Sequence, residues 1–144
     1  MDIVEDKIPH IYYNGNSSSE NYRDVFNGGM ENDVFVSTSG FSKFDGGAGK
    51  DTYIINKNSK VVEINDISSI SISDDLQLLK SVAELNLSNI YESVKNSKSD
   101  TIVFKDSVIK ESDVKINRGY YEITSEDTRV KLICKDFLLQ NLFI

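Results

Sequence analysis

The 144-residue sequence has one cysteine, Cys134, and one histidine, His10. A single cysteine excludes an intrachain disulfide, and within Leu132-Ile133-Cys134 it reads as a small core residue. A single histidine excludes two-histidine zinc sites such as H-E-x-x-H, and any Ser-His-Asp triad would have to run through a residue close to the N-terminus. The chain has no G-x-S-x-G elbow and no D-x-[DN]-x-[DN]-G calcium loop. No stretch reaches the roughly 18 consecutive apolar residues of a membrane-crossing helix. The acidic start, MDIVEDKIPH, lacks the apolar centre of a classical signal peptide. Basic residues are outnumbered 16 to 23, for a net charge of −7. That balance argues against nucleic acid, which requires a basic stripe, and is compatible either with cation binding or with a solvated acidic surface. The chain is therefore expected not to be an enzyme and to have no nucleic-acid partner and no transmembrane segment.

What is present is a period of nine. Stepping from Phe26 gives Phe35, Phe44, Tyr53 and Val62, five large apolar residues in one register. Two positions before them stand Asp24, Asp33, Ser42, Asp51 and Lys60, and the triplet Asp-Val-Phe occurs at 24–26 and again at 33–35. Neither the helical period of 3.6 nor the strand period of 2 produces nine. A chain that turns, makes a short strand, turns and makes another would produce it, each half-turn burying its eighth residue against its neighbours.

The glycines keep the same register. Residues 28–36 (GGMENDVFV) and 46–54 (GGAGKDTYI) lie 18 residues apart, which puts both loops on one edge of such a stack. Glycine permits the positive φ that turns carbonyls toward one point, and an aspartate adds a carboxylate. Two such loops can offer about six hard oxygens, the minimum number that Ca2+ takes. Gly46, Gly49 and Lys50 imitate a phosphate loop, but G-x-x-x-x-G-K-[ST] would need Gly at Phe44 and Ser or Thr at Asp51.

At this point the chain resembles the repeats-in-toxin, or haemolysin-type, calcium-binding proteins, whose nonapeptide is G-G-x-G-x-D-x-U-x with U large and apolar. Residues 46–54 match every fixed position, and 28–36 depart only at Glu31. The resemblance implies a Ca2+ ion between the two loops, held by the carbonyls of Gly29 and Glu31 with Asp33, and by those of Gly46 and Ala48 with Asp51. It implies that Asp24, on the opposite edge, is not a ligand. Affinity is expected in the weak range of extracellular modules, roughly 10⁻⁴–10⁻³ M. The resemblance also implies a secreted bacterial toxin or exoprotein, exported through a C-terminal signal, in which calcium drives folding outside the cell.

Residues 73–94 change character. Leu76, Leu79, Val82, Leu85, Ile90 and Val94 are spaced near three and four, Ser73-Asp74-Asp75 makes a helix start, and Asn86 or Ser88-Asn89 divides the segment into two helices. From Asp100 the period becomes two, with strands at 101–105, 114–116, 120–124 and 129–133. This tail resembles the segment that follows many nonapeptide blocks. The expected fold is mainly β: a short parallel β-roll over 1–66, a helical insert over 67–99 and an antiparallel β cap over 100–144, in one compact unit. The rival function is a receptor- or glycan-binding module of a toxin in which the roll is only scaffold.

Overall fold

The computed structural model describes residues 11–13, 24–29, 32–73, 76–84, 86–94, 100–105, 107–135 and 137–138. His10, Glu31, Asp74, Asp75 and the apolar end at 139–144 lie outside the described residues.

The first seven strands are β1 (Ile11–Tyr13), β2 (Asp24–Asn27), β3 (Val34–Ser37), β4 (Gly40–Asp45), β5 (Thr52–Ile55), β6 (Ser59–Asn65) and β7 (Ile70–Ile72). Helices α1 (Leu76–Ala83) and α2 (Leu87–Val94) follow, then β8 (Asp100–Phe104), a 3-10 turn (Glu111–Asp113), β9 (Val114–Asn117), β10 (Tyr120–Ser125), β11 (Thr128–Ile133) and β12 (Phe137–Leu138). The protein is mainly β. One sheet runs β1-β3-β5-β8-β7-β12 and the other β2-β4-β6-β11-β10-β9, so the chain passes alternately between them as far as β7. Every pairing in the first sheet is parallel, as are β2–β4, β4–β6 and β6–β11 in the second.

Between the sheets lie Phe35, Phe44, Tyr53, Val62, Ile64, Ile102 and their neighbours, all buried, with Phe26 partly buried against them. Phe35 stacks on Tyr53 with ring centroids 5.2 Å apart and meets Phe44 at 5.3 Å. The register holds at 18 residues from Phe26 to Phe44 and from Phe35 to Tyr53. It then slips, because Phe44 pairs with Ile64 and Val62 pairs with Ser42. One extra residue is taken up in the turn between Ile55 and Ser59, and Lys60 supplies another where the pairing shifts beside Gly40 and Phe41. A slip of two preserves the in-and-out alternation of side chains, so Val62 stays buried although its neighbour changes.

The outward face of the first sheet is also buried. Val34, Val36, Ile54 and Val103 pack beneath Leu78, Val82 and Ile90 of the two helices. Asn86 sets the start of α2: its side-chain oxygen accepts the Asn89 N–H at 3.1 Å, as an N-cap does. Within the segment expected to be a helical insert, Ile70–Ile72 is instead a strand.

The expected antiparallel cap over 100–144 is corrected in the same way. β8 lies inside the first sheet, parallel to both β5 and β7, and among the described residues antiparallel pairing is confined to β9, β10 and β11. The reason is burial. A parallel strand covered on both faces carries a continuous apolar run, and all five residues of β8 are buried.

Candidate metal centre

The parallel strands β2, β4, β6 and β11 of the second sheet end, and those of the first begin, along one edge of the molecule. Here the segments after β2, β4 and β6 lie side by side. Gly28 donates its N–H to the Asp45 carbonyl at 2.7 Å, Gly46 to Asn65 at 3.2 Å, and Asp66 to Ile133 at 2.9 Å. Opposite them, Asp33, Asp51 and Asp100 stand at the head of β3, β5 and β8. The Asp33 N–H donates to Asp51 Oδ1 at 3.0 Å, and the Asp51 N–H to Asp100 Oδ1 at 3.2 Å. Asp33, Asp51, Asp66 and Asp100 are all buried.

Carboxylate oxygens of Asp51, Asp66 and Asp100 lie within 4.8 Å of one another. Asp66 is held at both oxygens, by the Tyr53 hydroxyl on Oδ2 at 2.5 Å and by the Ser68 N–H on Oδ1 at 2.8 Å. Asp51 Oδ2 and Asp100 Oδ2 are buried without a hydrogen-bond partner. A Cβ added to Gly46 would lie 2.6 Å from both Asp51 Oδ2 and Asp66 Oδ2 and would collide with the Tyr53 hydroxyl, so this glycine leaves the space into which the carboxylates converge.

The electrostatics follow from burial. Asp51 is pushed up to about 9, by burial first and then by the charges of Asp100, Asp66 and Asp33, against the opposing hydrogen bond from the Asp33 N–H. Asp100 is pushed up to about 8 by burial and then by the adjacent Asp66 carboxylate; the Asp51 N–H and Lys50 pull the other way. Tyr53 is also raised well above its ordinary value, by burial and then by Asp66, so it keeps its proton and donates it. Charged groups in such a place need a counter-charge or a proton.

Of the residues singled out from the sequence, Asp51 belongs to this cluster. Asp33 stands one rung away, its Oδ2 accepting the Gly29 N–H at 3.4 Å. Gly28 and Gly29 do meet the loop at 46–51 backbone to backbone. The Gly46 carbonyl oxygen is 2.6 Å from where a Gly28 Cβ would stand, with Asp33 Oδ2 2.8 Å from the same point, and the Gly29 carbonyl oxygen is 2.6 Å from where a Gly47 Cβ would stand. Gly47 itself has φ +69°, the left-handed region that glycine tolerates. Ala48 is half-buried on the same loop.

Sequence reasoning missed Asp66, Asp100 and Tyr53. Asp66 comes beside Gly46 only because of the two-residue slip; an unbroken repeat would put Ile64 there. Asp100 did carry a sign, since Asp100-Thr101 repeats Asp51-Thr52 and Thr101 pairs with Thr52. Comparison with protein-family models, with curated proteins and with solved structures found no match to this chain.

Proposed function

We propose that the protein is a calcium-binding β-roll module with a helical insertion, its principal cation held by Asp51, Asp66 and Asp100. The observation that carries this reading is the pair of buried, unpartnered oxygens, Asp51 Oδ2 and Asp100 Oδ2, in a cluster of three carboxylates. An all-oxygen, carboxylate donor set suits Ca2+, Mg2+ or Mn2+ rather than the thiophilic metals. The nonapeptide resemblance of residues 46–54 and the backbone oxygens of the adjoining loops favour calcium among these, because calcium accepts more ligands in a less regular shell. A bound cation neutralises charge that burial makes costly, so its binding free energy becomes folding free energy. By the same resemblance the parent is a secreted toxin or exoprotein that meets calcium outside the cell.

Calorimetry tests the reading. The wild type should bind Ca2+, and Asp51→Asn should lose the most, because Asp51 adjoins both the cluster and the Asp33 rung. Asp100→Asn and Gly46→Ala should abolish the principal site, the first by removing a ligand and the second by filling the space between the carboxylates. Asp33→Asn should alter only a weaker, secondary position between the loops at 28–33 and 46–51. A wild type that binds no divalent cation would leave a cluster neutralised by protons, and the proposal would fall.

A further inference from the structure

Two glycine cradles, one pass apart, are built alike but finished differently. Around the position of a Gly28 Cβ stand the Gly46 carbonyl oxygen at 2.6 Å, Asp33 Oδ2 at 2.8 Å and Phe35 Cζ at 3.1 Å. Around that of a Gly46 Cβ stand Asp66 Oδ2, Asp51 Oδ2 and the Tyr53 hydroxyl. Asp51 repeats Asp33 and Tyr53 repeats Phe35, with which it is paired in register. The second cradle therefore differs from the first by a phenol in place of a phenyl ring and a carboxylate in place of a main-chain oxygen. These two differences are bonded to each other, Tyr53 Oη donating to Asp66 Oδ2 at 2.5 Å.

Packing does not require the hydroxyl. Phe35 fills the same inward position one pass earlier, and the two rings stack at an interplanar angle of 14°. A hydroxyl placed at a fully buried position costs free energy unless it finds a partner, and Asp66 is that partner. With Oδ1 held by Ser68 and Oδ2 by Tyr53, the Asp66 carboxylate is fixed in rotation. A carboxylate oxygen has lone pairs left after one hydrogen bond, so Asp66 remains able to ligate.

We infer that Tyr53 is a positioning residue for the cation site: it orients the Asp66 carboxylate toward the ion and distinguishes this built site from the bare cradle at Gly28. The inference rests on the metal reading of the Asp51, Asp66 and Asp100 cluster. Partners that orient a ligand commonly account for 10–100-fold in metal affinity.

The test uses the full chain with Ca2+ followed by calorimetry and Tb3+ followed by luminescence. The chain has no tryptophan, so tyrosine is the sensitiser of terbium emission. Tyr53→Phe should bind Ca2+ about 10–100-fold more weakly and, even when saturated with Tb3+, should lose most of the sensitised emission. Its cation-free melting should fall modestly, because the buried Asp66 carboxylate loses a hydrogen-bond donor. Tyr120→Phe, whose ring lies 4.6 Å from the half-exposed Lys131 ammonium, should retain both signals. Tyr53→Phe should also have no further effect on Tb3+ affinity once Asp66→Asn has removed the carboxylate it orients. A wild type that binds neither ion overturns the metal reading and this inference with it. A wild type that binds while Tyr53→Phe binds equally, or keeps full sensitised emission, overturns this inference alone. So does a Tyr53→Phe effect that persists undiminished beside Asp66→Asn, since the tyrosine would then act through packing.

Discussion

At Asp51 and Asp100 the protein keeps two carboxyl groups where water cannot solvate their charge, and this fixes how stability depends on pH. Their pKa values of about 9 and about 8 in the folded state compare with roughly 3.9 for an aspartate in an unfolded chain. Between those limits the folded protein binds more protons than the unfolded one, so stability falls as pH rises. For the cation-free protein this contribution is complete below about pH 4 and is lost as pH climbs through the folded values. Calcium bound at this site would reverse the trend, because it would replace the protons and bind best where they have left. Melting temperatures in chelator should therefore decline from pH 5 to pH 9, and the increment from added Ca2+ should grow over the same range. Asp100→Asn should flatten the decline. A cation-free melting temperature that rises with pH would show that these carboxyls are not the buried acids described.

At the scale of the strand, much of the core was legible and its register was not. The column Phe26, Phe35, Phe44, Tyr53 could be read because each inward position falls once per half-turn, and Phe35, Phe44 and Tyr53 are fully buried. Val62 was placed in the core correctly but beside the wrong neighbour, since two residues added between β5 and the middle of β6 leave no mark in an apolar pattern that still alternates. The place of β8 was hidden for a different reason: a run such as Thr101-Ile102-Val103-Phe104 looks the same in a parallel or an antiparallel sheet when both of its faces are covered. The break between the helices was legible at Asn86, whose side chain caps α2. The inward column yields a stability test. Phe35→Ala should cost about 3–5 kcal/mol in denaturant unfolding, as for other buried aromatic side chains. Ile116→Ala, on the outermost strand of the second sheet and 71% exposed, should change stability by less than about 0.5 kcal/mol. Equal costs for the two would refute the assignment of Phe35 to the stacked core.

Over the whole molecule, the cluster joins parts of the chain that the nonapeptide pattern alone could not connect. Asp51 comes from the repeat-like region and Asp66 from the end of the same stack. Asp100 arrives only after the chain has made β7 and both helices and returned to insert β8 between β5 and β7. One ion on all three carboxylates would hold that returning segment against the stack, and with it the helices, which pack on Val103 of β8 together with Val34, Val36 and Ile54. Without the ion, the same docking needs a proton on Asp100, whose pKa is pushed up to about 8, or else a costly buried charge. Calcium should therefore protect more than the loops that touch it. At a concentration about 100 times Kd, binding stabilises the folded form by about 2.7 kcal/mol. Amides that exchange only when the site opens should then slow about a hundredfold. Hydrogen exchange followed by mass spectrometry is expected to show this slowing in peptides covering β5, β8 and the two helices, and little change in β9, at the far edge of the second sheet. Asp100→Asn should erase the difference in β8 and the helices. Protection confined to residues 46–51, with β8 and the helices exchanging equally fast with and without calcium, would mean that the ion does not join the returning segment to the stack.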